Sequence, residues 1–213
     1  MENKPVFVML AGGKSERMGF PKGLLAYKNT VWILEQLNRI SQSTITIVYV
    51  GLGFYHQDYF CVIPWLKDAQ EKFVCYNNLK IKVVVNLEPE RGSFSMLKTI
   101  LHQIPKKHSV LIHPIDVPIL NANELEKIIT TENCIVLPNY KGKNGHPIKT
   151  SPSFWNPILR MEIMDENARL DFLIKKKNPK KLANVAVQDS DSILNLNTPE
   201  DWDRFIQKSV ILS

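Results

Sequence analysis

The sequence predicts an α/β fold: one domain over residues 1–213, built as a three-layer α/β/α sandwich around a mostly parallel, twisted sheet. Three observations lead there. Short runs of Val, Ile and Leu recur along the chain, amphipathic stretches with helical spacing separate them, and the 44% hydrophobic content is spread over the whole length. Uninterrupted apolar runs suit strands buried on both faces, and their alternation with helices is the pattern of a parallel sheet. A chain of 213 residues buries one substantial core and is short for two.

In chain order the expected strands are Val6–Leu10 and residues 45–50, 81–85, 110–113 and 135–137. Between them, residues 31–37 and 96–101 carry helical spacing, and a helix is expected over residues 123–129 with Asn123 as its cap. A last helix begins at Thr198-Pro199-Glu200-Asp201, with Thr198 as cap, Pro199 in the first turn and Asp201 three residues after the cap, and it is expected to end near Lys208. Two regions break the alternation: residues 54–78, rich in aromatics, and residues 139–153, rich in Gly, Pro and Lys. Ligands of open α/β sheets bind beyond the carboxyl ends of strands, so the loops after Leu10, Val85 and His113 are where chemistry should gather.

The composition is that of an ordinary globular protein and excludes disordered and fibrous classes. The net charge of +6 suits an anionic partner, and the cluster Lys175, Lys176, Lys177, Lys180 and Lys181 reads as a solvated helix end. Cys61, Cys75 and Cys134 have no metal-ligand spacing and are expected to be buried, reduced thiols. The first apolar run starts within five residues without a signal-sequence pattern, and no run approaches the ~20 residues of a membrane span, so the cytoplasm is expected.

After the first strand comes Leu10-Ala11-Gly12-Gly13-Lys14-Ser15-Glu16-Arg17-Met18-Gly19-Phe20-Pro21-Lys22. Glycines let main-chain N–H groups approach an anion, and Arg17 and Lys22 can neutralise a triphosphate, so the loop has the properties of a phosphate cradle. It fits neither the Gly-x-Gly-x-x-Gly dinucleotide pattern nor the Gly-x4-Gly-Lys-Ser/Thr loop. Asp116, after a buried run and before Val117-Pro118, supplies the hard oxygen a divalent cation prefers.

These thirteen positions resemble the Leu-Ala-x-Gly-x-Ser-x-Arg-Met-Gly-x-x-Lys signature of MobA-like NTP transferases, especially their molybdenum cofactor cytidylyltransferase branch. The resemblance continues in order through Glu90-Arg91-Gly92-Ser93-Phe94-Ser95-Met96-Leu97, Ile115-Asp116-Val117-Pro118, Gly145-His146-Pro147 and Asn195-Leu196-Asn197-Thr198-Pro199-Glu200-Asp201. It implies a Rossmann-like sheet of the GT-A, nucleotide-diphospho-sugar transferase type. It further implies a magnesium-dependent nucleotidyltransferase that moves a nucleoside monophosphate from an NTP to a phosphorylated acceptor. Carried onto this chain, the signature makes Arg17 and Lys22 catalytic and places the nucleotide on Leu10, Ala11, Gly12, Gly13, Ser95 and Asn195. It assigns Mg2+ to Asp116 and Asn197, and the acceptor to His146, beside Lys141, Lys143 and Lys149. Ser95 also reads as a helix cap, Asn197 as a turn residue and His146 as a loop-ordering residue. His56, His102, His108 and His113 receive no role.

Pro21 before Lys22 resembles the cytidylyl branch, where the guanylyl branch has an acidic residue, and so implies CTP. The branch resemblance implies molybdopterin as acceptor; Ile115-Asp116-Val117-Pro118 departs from that branch's Gly-Asp-Gln-Pro, and sugar or alditol phosphates are the alternative acceptors. A reading of another class is a non-catalytic anion- or nucleic-acid-binding module with a vestigial nucleotide site. Against it, the basic residues are scattered and do not interleave with aromatics, so neither nucleic acid nor membrane is expected as partner.

Overall fold

The structure, a computed structural model, describes residues 4–163, 165 and 168–211. The chain opens with β1 (Val6–Leu10), a small hairpin of β2 (Ala26–Tyr27) and β3 (Thr30–Val31), α1 (Trp32–Ser41) and β4 (Ile47–Leu52). The aromatic segment forms α2 (His56–Val62), α3 (Trp65–Asp68) and β5 (Val74–Tyr76), ahead of β6 (Leu79–Val85) and α4 (Gly92–Leu101). Then follow β7 (Val110–Pro114), α5 (Ala122–Thr130), β8 (Ile135–Tyr140), β9 (Lys143–Asn144) and β10 (Ile148–Thr150). The chain continues through α6 (Pro152–Trp155), α7 (Leu170–Lys175), β11 (Leu182–Ala186) and α8 (Pro199–Ile211).

The large sheet runs β11-β8-β10-β7-β1-β4-β6-β5, with β9 paired to β8. Its centre, β7, β1, β4 and β6, is parallel, whereas β10 lies antiparallel between β7 and β8 and β5 antiparallel to β6. Alternate residues of each strand feed two cores. Phe7, Met9, Val48 and Val50 pack on one face with Trp32, Leu37, Leu125 and Trp202, while Val6, Val8, Val110 and Ile112 pack on the other with Leu97, Ile100 and Trp155. Two apolar faces need two helical layers, which is the three-layer arrangement expected.

All five expected strands form, with boundaries shifted by up to three residues. The α5 cap is Asn121, whose side chain accepts from the Glu124 amide at 3.1 Å, two residues before the expected Asn123. Thr198 caps α8 as expected: its hydroxyl accepts from Asp201 N while Asp201 Oδ2 accepts from the Thr198 and Asn197 amides. The cysteines correct the expectation of burial. All three are free, Cys61 and Cys75 are exposed and Cys134 is half-buried, because α2 and the edge strand β5 turn only their other faces inward. No helix among the described residues is long and apolar enough to cross a membrane.

Candidate active site

β1 is the point where the sheet changes direction: the chain leaves it outward through β4 and β6, then returns to β7 on its other side. The loops beyond Leu10 and Pro114 therefore diverge across a crevice, the position where open α/β sheets bind ligands. That crevice has a volume of about 520 Å³ and is lined by Leu10 to Ser15, Lys22, Asn86, Glu90, Ser93 and Asp116 among others.

The glycine loop is held close to β4. Ala11 N donates to Gly51 O and Phe54 N to Gly12 O, and a Cβ at Gly12 would lie 2.9 Å from the backbone nitrogen of Gly53 and 2.2 Å from Met96 Cε. Only glycine permits that approach. Beyond it, Ser15 and Gly19 adopt positive φ, and the Met18 and Gly19 amides close a turn on Ser15 O.

The acidic loop is clamped from below by buried side chains. Trp32 Nε1 donates to Ile115 O at 2.8 Å, Gln36 Nε2 donates to Val117 O while its Oε1 accepts from Ile119 N, and His113 Nε2 meets Val117 O at 2.8 Å. Leu196 N then donates to Asp116 O, which brings the segment before α8 alongside. The outcome is a three-way contact: the Lys22 ammonium donates to Asp116 Oδ2 at 3.0 Å and to Asn197 Oδ1 at 2.7 Å, joining residues 94 and 175 positions away. Arg17 is exposed and lines, with Lys14, Ser15, Lys22 and Asn197, a separate shallow recess outside the crevice.

The two oxygens that converge on the Lys22 ammonium, one from a carboxylate and one from an amide, are donor types that a hard divalent ion takes together with phosphate oxygens and water. Among the described residues no group of three or more His, Cys, Asp or Glu could hold a metal.

A second cavity of about 700 Å³ adjoins the first and shares Leu10, Gly92, Ser93 and Pro114 with it. Phe94, Leu97, Leu137, Ile148, Leu170 and Ile174 give it apolar walls, and Arg91, Arg169, Lys175, Asp171 and His146 give it polar groups. Gly145 lets the His146 segment lie against the chain before α8, since a Cβ there would come within 2.3 Å of Ser192 O, and His146 N donates to that carbonyl.

Leu10, Ala11, Gly12, Gly13, Lys22 and Asp116 thus line one crevice, Asn197 joins them through Lys22, and His146 lines the adjoining cavity. Three expectations are corrected. Ser95 is buried with its hydroxyl accepting from Asn86 Nδ2, and Ser93 lines both cavities instead, because two positions on a helix are about 200° apart. Asn195 is exposed and is not among the residues lining either cavity. Lys149 is buried and donates to the carbonyls of Ile129 and Thr131, and neither Lys141 nor Lys143 lines the second cavity. The cations there, Arg91, Arg169 and Lys175, lie in stretches whose spacing carries no site signal, although Arg91 falls inside the motif around Gly92.

His113, fully buried, and His146 face each other with ring centroids 6.3 Å apart, and each Nδ1 lacks a partner among the described residues. Burial pushes the His113 imidazole down to about 3, helped by His146, and burial also lowers His146. Folded-state values below the unfolded one mean that the unfolded chain takes up protons the native chain does not. The stability is therefore complete above the unfolded pKa, near 6.5, and is lost as pH falls below it. Urea unfolding should show the chain about 2 kcal/mol less stable at pH 5 than at pH 7 from His113 alone, a slope that His113→Gln should flatten. An unchanged slope in the variant would show that other groups carry it.

A glycine loop after the first strand, an acidic loop across the switch point and a lysine joining them define a nucleotide-binding α/β transferase. The profile described as the MobA-like NTP transferase domain matches residues 7–181, and the chain belongs to that family of nucleotidyltransferases. Solved structures share the fold. Rv0371C of Mycobacterium tuberculosis H37Rv, in complex with manganese, is 18% identical, with 97% of this chain and 100% of that one covered and a TM-score of 0.71. Molybdopterin-guanine dinucleotide biosynthesis protein A of Archaeoglobus fulgidus is 16% identical, with 96% and 98% covered and a TM-score of 0.67. The 4-diphosphocytidyl-2C-methyl-D-erythritol synthase of Anaerococcus prevotii DSM 20548 is 15% identical, with 98% and 97% covered and a TM-score of 0.67. No curated protein matches this chain in sequence.

Proposed function

We propose that this nucleotidyltransferase moves CMP from CTP onto the phosphate of a molybdopterin-type acceptor in the cytoplasm, with Mg2+ as its metal. The observation that carries the reading is the meeting of Lys22, Asp116 and Asn197 beside the glycine loop, in a crevice that opens into an apolar cavity with a cationic rim. The apolar walls of Phe94, Leu137 and Ile174 suit the flat faces of a ring-bearing acceptor, which give up no hydrogen bonds against them, while the polar groups of the cavity are left for its polar edge and phosphate. Pro21 before Lys22 supports cytosine over guanine.

In this mechanism the backbone of Gly12 and Gly13 cradles the triphosphate, and Lys22 and Arg17 balance its charge. An acceptor phosphate oxygen, gathered by Arg91, Arg169 and Lys175, attacks the α-phosphorus in line. The new P–O bond forms as the bond to the bridging oxygen breaks, and pyrophosphate leaves with the electron pair. Mg2+ held by Asp116 and Asn197 would neutralise charge on the phosphates. An acceptor phosphate is already a nucleophilic anion near neutral pH, so positioning and electrostatics suffice without a general base.

Pyrophosphate release from CTP with magnesium and the reduced molybdenum cofactor as acceptor tests the proposal, with GTP, UTP and ATP and with alditol phosphates in parallel. Release only with another nucleotide or acceptor replaces the finer assignment. Arg169→Ala should raise the acceptor KM about ten-fold, the worth of one charge-assisted hydrogen bond, and leave CTP binding unchanged. A rise in the CTP dissociation constant instead would move Arg169 to the nucleotide.

A further inference from the structure

The aromatic segment 54–78 touches both arms of the phosphate site. Phe54 N donates to Gly12 O, and Tyr59, on α2, reaches the turn that carries Lys22. That turn is short: residues Lys22–Leu24 form one 3-10 turn, closed by Leu24 N on Pro21 O and Leu25 N on Lys22 O. The Gly23 amide, buried between them, donates to the Tyr59 hydroxyl at 3.1 Å. The ring also fills the space a side chain at position 23 would take, since a Cβ on Gly23 would lie 2.6 Å from the Tyr59 oxygen and 2.8 Å from its Cε1. Tyr59 is 1% exposed, sits in the core with Phe60, Ile63 and Leu66, and lines the crevice. A rigid, buried ring thus holds the peptide next to Lys22, whose ammonium is held in turn by Asp116 and Asn197.

We propose that Tyr59 is a positioning residue that braces Lys22 against the glycine loop, so that segment 54–78 sets the distance between the two phosphate-binding arms. This rests on reading Lys22 as the phosphate cation. Burial raises the phenol well above its ordinary value, so the contact is a neutral hydrogen bond at every working pH. A lost bond leaves the buried Gly23 N–H without a partner and lets the turn shift; such a donor is costly to leave unmet.

The test needs no acceptor. Trace acetylation with acetic anhydride of the ligand-free protein, read by mass spectrometry, should label Lys22 about five-fold faster in Tyr59→Phe, with Lys80, exposed on β6, unchanged. Gly23→Ala, which pushes the phenol away, should act in the same direction. An unchanged Lys22 rate in both variants, or equal rises at Lys22 and Lys80, overturns the brace. In the second arm, affinity for whichever of the four magnesium nucleotides stabilises the wild type should fall about five-fold in Tyr59→Phe and not fall further when Lys22 is already Ala. Equal losses in both backgrounds indicate general weakening and overturn the proposal. If no nucleotide binds the wild type, the substrate reading fails while the acetylation rates still decide the brace.

Discussion

Lys22→Met is expected to lower turnover about 10²- to 10³-fold, comparable to the loss of one preorganised group that stabilises transition-state charge. The side chain is the cation that reaches both Asp116 and Asn197, and it is mostly shielded, with 12% of its side chain exposed. Methionine keeps the length and apolar stem while removing the charge, so the variant isolates electrostatics from packing. The ion pair with Asp116 is mostly shielded, and its loss, which leaves that carboxylate and Asn197 Oδ1 without their donor, should cost the fold about 1–3 kcal/mol. Single-turnover pyrophosphate release, with urea unfolding as the control, separates the two effects. A fall of less than about ten-fold would place the main phosphate charge on Arg17, and a loss explained by unfolding would make Lys22 structural.

Asp116→Asn is expected to abolish the metal-dependent part of nucleotide binding. The loop backbone is held by Trp32, Gln36 and His113, so the variant should keep its shape, and asparagine can still accept from Lys22. Only the negative charge that a hard divalent ion prefers is removed. At a nucleotide concentration about a hundred times the dissociation constant, the wild type should gain about 2.7 kcal/mol, seen as a rise of about 5–10 °C in melting temperature. The variant should melt with magnesium and CTP within about 1 °C of its value with CTP alone. A full metal-dependent shift in Asp116→Asn would assign the metal elsewhere. No shift in the wild type with any nucleotide would favour the vestigial, non-catalytic reading of the crevice.

The sequence by itself determined the sheet centre and one arm of the site. Val6–Leu10 and the four other apolar runs are strands because burial on both faces demands continuous hydrophobicity, and that demand is written residue by residue. The glycine loop is legible for a similar reason: close backbone approach excludes a side chain at Gly12, so the sequence must carry glycine there. The tertiary structure alone decided the remainder. Strands β10 and β11 are short and carry Lys149 or half-exposed residues, so their pairing comes from neighbours and not from a local pattern. Ser93 in place of Ser95 depended on how α4 is rotated, and Arg169 and Lys175 reach the second cavity only because α7 lies beside it. Tyr59 reads as one more core aromatic until Gly23 is seen against its hydroxyl. The meeting of Lys22 with Asp116 and Asn197 was fixed by the strand order, since contacts across 94 and 175 residues follow from which loops the sheet brings together, and linear spacing does not encode that distance.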